Sequence, residues 1–300
     1  MAQPMRNREN PVTRDGMPDA VGRVDLHVHT TASDGLFAPA DVVKRAAEAG
    51  LSAVAITDHD TLGGLAAATE RGEALGIEIV PGVELTSYAG GTEVHVLGLF
   101  IDASRASAVE RVDRIRRARQ ERMAEMIRLL ARHGVEVDLD EVLAESDGGA
   151  VGRPHLAHVM ARHGHVENEN EAFYTYLRPG KPAYVKKLEL TPEEAIALVR
   201  DLGGLPVYAH PGVSRMDERL GEFKEAGLAA LEVWHPKHRD ADVAHYLRLA
   251  EKRGLLPSGG SDFHGEGRSE ASLGTPPVYR ETLDRLRRAH NAASPTGAGT

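Results

Sequence analysis

The chain has 300 residues, with 36 Lys and Arg against 45 Asp and Glu, a net charge of −9, 41% hydrophobic residues and no cysteine. That length and apolar content suit one large α/β domain, or one carrying an insertion, and exclude a disordered chain. Without cysteine there is no disulfide, no thiolate metal site and no cysteine nucleophile, and the acidic total argues against broad coating of nucleic acid.

Residues 1–20 hold Pro4, Pro11 and Pro18 without an apolar stretch. They read as a disordered tail and not as a signal peptide. No apolar run approaches the roughly 20 residues of a membrane helix, so no membrane partner and a cytoplasmic location are expected. β-rich runs then alternate with helical patterns. Strands are predicted at Val24–His29, Ala53–Thr57, Glu78–Glu84, Glu93–Ile101, Pro206–Ala209, Ala229–Trp234 and Leu255–Gly259. Helices are predicted at Ala38–Ala49, Leu62–Leu75 and Pro192–Asp201, followed by Gly50, Gly76 and Gly203 as left-handed caps. Thr191-Pro192-Glu193-Glu194 spells a capping box, and Ala89-Gly90-Gly91 a hairpin link. Residues 102–186 break the alternation. Helices are expected over Arg111–Arg132, from about Leu139 and over Arg153–Arg162, with no strand before about Ala183. The expected organisation is a barrel formed by 21–101 and 187–290, a helical insertion over 102–186 and a disordered tail over 291–300.

Fifteen histidines are the unusual feature, and their positions carry the chemistry. In Val24-Asp25-Leu26-His27-Val28-His29, strand alternation puts both imidazoles on one face, about 7 Å apart, with Leu26 and Val28 on the other. Asp34 follows in the next loop, where an Asx turn before Gly35 is the competing role. The apolar run Ala53–Ile56 ends in Thr57-Asp58-His59-Asp60; His59 is the candidate ligand, Asp58 and Asp60 could orient imidazoles, and Asp60 could equally cap the next helix. Glu84, His210, Asp262 and His264 also end apolar runs, and His95 lies within one. Polar residues at the C-terminal ends of buried strands mark the face where β/α barrels build their sites. Six histidines and three carboxylates exceed what one ion needs. Two or three divalent ions are expected, with manganese, iron or zinc as candidates, together with hydrolysis, most naturally of a phosphate ester.

The motifs His27-Val28-His29, Asp34, Thr57-Asp58-His59-Asp60, Pro81-Gly82-Val83-Glu84, Val94-His95-Val96-Leu97-Gly98, Ala209-His210-Pro211 and Gly260-Ser261-Asp262-Phe263-His264 resemble the PHP (polymerase and histidinol phosphatase) superfamily. The resemblance implies a distorted seven-stranded β/α barrel with the helical insertion between its fourth and fifth strands. Val151-Gly152-Arg153-Pro154-His155-Leu156-Ala157 is similar to the branch of 3′,5′-nucleoside bisphosphate phosphatases and 5′→3′ exoribonucleases. By that resemblance His27, His29, Glu84 and Asp262 hold one ion, Glu84, His95 and His210 a second, and Asp34, His59 and His264 a third, with manganese first among the metals. It implies catalytic roles for Glu84, His210, Arg153 and His155, with Arg153 and His155 gripping substrate phosphate.

The expected activity is metal-dependent hydrolysis of a nucleotide phosphate monoester, a 3′,5′-bisphosphate to its 5′-monophosphate, with short single-stranded RNA or DNA as a related substrate and no obligatory protein partner. The leaving-group acid stays open between a metal-held water and His155. The rivals are a histidinol phosphatase or other small-molecule phosphatase, an amide hydrolase on the same barrel, and a non-catalytic metal-binding module. Arg153 could instead pair with an acidic neighbour while Pro154 starts a helix. His235 and His238 read as a surface loop in preference to substrate contacts, and Trp234 as core in preference to a base-stacking platform. The arginines of Arg111–Arg132 read as a solvated face in preference to an RNA guide.

Overall fold

The computed structural model of the chain describes residues 22–145, 151–186, 190–268 and 271–293. β1 (Arg23–Val28) leads to α1 (Pro39–Glu48), β2 (Ala53–Ile56) to α2 (Leu65–Leu75), and β3 (Glu78–Ala89) turns directly into β4 (Thr92–Leu99). Four helical segments follow: α3 (Ala106–Ala131), α4 (Leu139–Glu145), α5 (Arg153–Arg162) and α6 (Glu169–Ala172), the last running into a wider turn over Phe173–Leu177. Then come α7 (Pro192–Asp201), β5 (Leu205–Tyr208), α8 (Pro211–Ser214), α9 (Leu220–Ala226), β6 (Ala230–Trp234), α10 (Asp240–Arg253), β7 (Leu256–Gly259), β8 (Val278–Tyr279) and α11 (Arg280–Ala293).

The strands pair in the order β7-β6-β5-β4-β3-β2-β1-β8, parallel except around β4 and at β8. The sheet curls until Phe263, just past β7, bridges Val28 of β1, with the His29 N–H on the Phe263 carbonyl at 2.9 Å. This is the expected barrel, nearly closed, but with eight strands instead of seven. The addition is β8, two residues antiparallel to the start of β1, too short to show a period in the sequence. At the β7–β1 seam Gly260 has no room for a side chain, since a Cβ there would lie 2.4 Å from His27 Cβ.

Local chemistry explains the elements. Thr191 and Glu194 form the capping box of α7, at 3.2 and 2.8 Å. Gly90 and Gly91, with φ of 58° and 89°, make the two-residue turn between Ala89 and Thr92, so β3 extends five residues beyond Glu84.

Two apolar layers flank the sheet. The outer one packs Val54, Ile56, Val83, Val96 and Leu231 against helices α1, α2, α7, α9 and α10. The inner one fills the barrel with Val24, Leu26, Ala55, Val80, Leu97, Leu99, Val207 and Ala230, and Leu283 and Leu286 of α11 join it. Burying each of those two leucines contributes about 1.5–3 kcal/mol. β1 departs from simple alternation. Its register slips between Asp25 and Val28, so Leu26 belongs to the inner layer and Val28 to the outer one. The insertion between β4 and β5 has its own core, built from Met123, Met126, Leu130, Val142, Leu156 and Met160, with Ala183 buried there without forming a strand. The expected tail over 1–20 lies outside the described residues. Of the tail expected over 291–300, residues 291–293 complete α11 and the rest lie outside.

Candidate metal centre

Where the inner layer changes from apolar to polar, all nine expected ligands meet. His27 comes from β1 and His29 from the residue just past it, Glu84 from β3 and His95 from β4. Asp34, His59, His210, Asp262 and His264 come from the loops after β1, β2, β5 and β7. Three backbones take left-handed conformations there: Asp60 (φ 49°), His210 (φ 26°) and Asp262 (φ 50°). Such strain costs about 1 kcal/mol or more per residue and marks functional sites. At His210 its purpose is visible. Ala209 points into the barrel, so regular alternation would send His210 outward; the turn instead brings its Nε2 to 3.1 Å from Glu84 Oε1.

The donor spacing matches what an ion imposes. Ligands about 2.0–2.1 Å from one cation stand roughly 2.9–3.4 Å from one another. His27 Nε2 lies 3.1 Å from His29 Nε2 and from Glu84 Oε2, and 3.4 Å from Asp262 Oδ1. His29 Nε2 lies 3.0 Å from Glu84 Oε2 and 3.3 Å from Asp262 Oδ1. Glu84 faces two ways: its Oε1 lies 2.8 Å from His95 Nδ1 and 3.1 Å from His210 Nε2, while His59 Nδ1 is 3.4 Å from Oε2. A third group joins Asp34 Oδ1 to His264 Nε2 at 3.2 Å, with His59 Nε2 3.8 Å from Asp34 Oδ2. Among the described residues the buried nitrogens His59 Nδ1, His95 Nδ1 and His210 Nδ1 make no hydrogen bond of good geometry, although the first two stand close to Glu84. These residues fit divalent ions. The groupings differ from the expected sets in two respects. His29 also stands with Asp34, His59 and His264, and the tight trio around Glu84 and His95 takes His59, while His210 stands beside it.

Charges in so small a space shift one another. Burial lowers the His29 imidazole, but hydrogen bonds to Asp262 and Glu84 and the charges of Glu84 and Asp34 outweigh it and raise the ring to about 10. His95 rises to about 10 against its burial, through Glu84 and Glu93. For His59 burial wins and lowers the ring to about 4. Glu84 is held well below the carboxylate range by the surrounding imidazoles, despite complete burial.

Several site residues escape the sequence reading. Glu232, fully buried in β6, lies 3.0 Å from His27 Nδ1 through Oε1 and takes the His210 N–H on Oε2 at 2.6 Å. It fixes the His27 tautomer with Nε2 free to ligate. A glutamate two residues past the inward Ala230 was the available signal. Asp25 is buried and accepts the N–H groups of Ser261 and Gly274 at 2.9 and 2.8 Å, tying the Asp262 loop to β1. Asp58 takes the Thr30 N–H and the Ser33 hydroxyl, at 2.8 and 2.6 Å, and reaches His29 only through Ser33. Among the described residues Asp60 caps no helix and touches no imidazole: it binds the Thr86 N–H and hydroxyl and the Arg119 guanidinium, the last at 2.7 Å. The surface-loop reading of His235 and His238 is corrected, since both are buried. His235 Nε2 is 3.3 Å from Asp262 Oδ2, and His238 joins the Val233 carbonyl to the Gly212 N–H. Trp234 packs between the apolar layers.

A cavity of about 670 Å³ opens beside His59 and His95 under the insertion, lined by Arg119, Arg122, Arg153, His155, Phe173 and Tyr184. The solvated-face expectation for α3 holds for Arg111, Arg114, Arg116 and Arg128, which pair with Asp201, Glu110, Asp113 and Glu125. It fails for Arg119 and Arg122, one turn apart, which face the cavity. Burial and then the charge of Arg153 lower the Arg122 guanidinium below its ordinary value. Among the described residues Arg153 has no carboxylate partner; it donates to the Leu177 carbonyl at 3.1 Å and lies 5.8 Å from the Phe173 and Tyr184 ring centres. Pro154 does start α5. His155 Nδ1 accepts the Gly152 N–H at 3.0 Å, so the neutral ring carries its proton on Nε2.

The PHP domain model matches residues 25–131. A 3′,5′-nucleoside bisphosphate phosphatase of Chromobacterium violaceum is 34% identical, covering 89% of this chain and 99% of that protein. A phosphoribosyl 1,2-cyclic phosphate 1,2-diphosphodiesterase of Eggerthella lenta is 32% identical over 81% and 94%. The 5′-3′ exoribonuclease Rnm of Escherichia coli is 33% identical over 80% and 84%. The crystal structure of a Bifidobacterium adolescentis protein described as a metal-dependent phosphoesterase superposes with a TM-score of 0.71 at 33% identity, covering 88% of this chain and 94% of that one.

Proposed function

This chain belongs to the PHP family of metal-dependent phosphoesterases, and we propose that it removes the 3′-phosphate of nucleoside 3′,5′-bisphosphates and trims short RNA or DNA from the 5′ end by the same bond cleavage. The observation that carries this reading is the arginine-lined cavity beside the Glu84 cluster. Three guanidiniums and two aromatic rings suit a second phosphate and a nucleoside held next to the phosphate being cleaved.

His27, His29, Glu84 and Asp262 would hold one ion, Glu84 and His95 with His59 or His210 a second, and Asp34 and His264 with His59 a third. Bound divalent ions, manganese first with iron and zinc as alternatives, supply an activated water and neutralise phosphoryl oxygens. The remaining work belongs to side chains. Glu232 and His235 orient His27 and Asp262. Arg153, with Arg119 and Arg122, grips the phosphate that stays on the nucleotide. His155, with Nδ1 occupied, presents Nε2–H to the departing 3′ oxygen. Water adds its oxygen to phosphorus as the P–O3′ bond breaks, the proton that water gives up ends on O3′, and His155 keeps its own proton while hydrogen-bonding the departing oxygen. The insertion over 102–186 acts as a cap that positions the nucleotide. The cytoplasm, where such nucleotides and RNA occur, is the compartment this activity fits; among the described residues no helix is long and apolar enough to cross a membrane.

Histidinol phosphate, which carries a cationic amine, matches three arginines poorly. The test is phosphate release from adenosine 3′,5′-bisphosphate, histidinol phosphate, sugar phosphates and an amide panel with added manganese. Preference for the bisphosphate is expected. Release from histidinol phosphate alone would overturn the assignment, and no hydrolysis with any metal would leave a binding module.

A further inference from the structure

A second cavity, of about 320 Å³, opens on the other side of the cluster and meets the larger one at Asp34 and His155. Its wall includes His264, Lys237, Arg268 and Glu145. Its three carboxylates are engaged: Glu145 is held by Arg162 at 2.9 Å and His158 at 3.3 Å, and Asp34 and Asp262 belong to the ligand cluster. Arg268 donates to the Asp34 carbonyl at 2.7 Å. Lys237 is exposed, and among the described residues its ammonium has no carboxylate partner. A nucleoside monophosphate filling the arginine cavity leaves this second space unused.

We propose that the cavity at Lys237 and Arg268 is the exit subsite for a single-stranded oligonucleotide, holding the phosphodiester on the 3′ side of the bond being cut. This rests on the activity proposed above. A nucleoside 3′,5′-bisphosphate is the 5′-terminal residue of a phosphorylated strand cut off after its first 3′-phosphate. Both substrates lose the same P–O3′ bond to water: the 5′-nucleotide departs with a free 3′-hydroxyl, and the phosphate stays on the rest of the strand. The terminal nucleotide occupies the arginine cavity in either case. Only the strand has a continuation, and the second cavity is an open way out with the Lys237 ammonium on its wall.

The test uses the full chain loaded with manganese, with adenosine 3′,5′-bisphosphate and a 5′-phosphorylated RNA pentanucleotide as substrates. Lys237→Glu is expected to lower kcat/KM on the RNA roughly tenfold, as loss of one exposed charged contact does, and to leave the bisphosphate within about twofold. The slope of log(kcat/KM) against log salt on RNA becomes shallower by about 0.7, one single-strand phosphate contact. Lys237→Arg keeps wild-type behaviour on both. Equal losses on the two substrates, an unchanged salt slope, or a wild-type chain that cleaves the bisphosphate but no RNA would overturn the proposal. A wild-type chain that cleaves neither defeats the activity beneath it.

Discussion

Replacing Glu232 by glutamine changes one atom of a residue that touches no substrate. Its Oε1 lies 3.0 Å from His27 Nδ1 and its Oε2 takes the His210 N–H at 2.6 Å, with no exposure to solvent. Glutamine keeps the shape but turns one arm into a donor. If the amide NH₂ faces His210, two donors meet and a buried N–H loses its partner. If it faces His27, the ring must carry its proton on Nε2, the atom 3.1–3.4 Å from three other ligands in the cluster. Leaving a buried donor unpaired costs about 1–3 kcal/mol. Losing an orienting partner weakens metal affinity or activity by about 10–100-fold, which at roughly 1.4 kcal/mol per tenfold falls in the same range. Manganese titration of the chelated variant should therefore show binding at the His27 group weakened 10–100-fold, with turnover partly restored by excess manganese. Wild-type affinity and turnover in Glu232→Gln would refute the orienting role.

Other perturbations test neighbouring parts of the site. Glu84→Gln alters the carboxylate that faces both donor groups and should abolish measurable turnover while lowering metal content; near-normal activity would remove the bridging role. Arg153→Ala should raise KM roughly tenfold or more with metal content unchanged, since Arg153 contacts no ligand of the cluster, and an unchanged KM and kcat would make it a purely structural residue. His29 and His95 titrate near 10 in the metal-free chain, above the ordinary 6.5, so their protonated forms stabilise the fold fully below about pH 6.5 and that contribution fades as pH rises towards 10. Manganese binding at pH 7.5 must then expel protons, and a weakly buffered titration with a pH indicator should show their release and a falling affinity at lower pH. No proton release would contradict this charge arrangement.

The nine ligands were legible from their places in the strand pattern. His27 and His29 share a strand face, and His59, Glu84, His210 and Asp262 follow apolar runs, so a strand-by-strand reading brings them to one end of a barrel. What was not legible depends on pairing across the chain. Glu232 sits inside β6 and not at its end, so only the register that turns Ala230 and Glu232 inward reveals it. Asp60 looks like a helix cap until α3 brings Arg119 to it. His235 and His238 follow a strand in a polar run resembling a surface loop, yet that run folds back under α8 and buries both rings while Lys237 stays exposed. β8 and the slip in β1 leave no periodic trace, because each involves only a residue or two.

Chelating the purified chain and restoring manganese stepwise, while following phosphate release from adenosine 3′,5′-bisphosphate, bears most directly on the cluster as the seat of hydrolysis. Activity should vanish on chelation and return in step with the second and third equivalents bound. Full activity in the metal-free chain, or metal binding that saturates without any phosphate release, would contradict it.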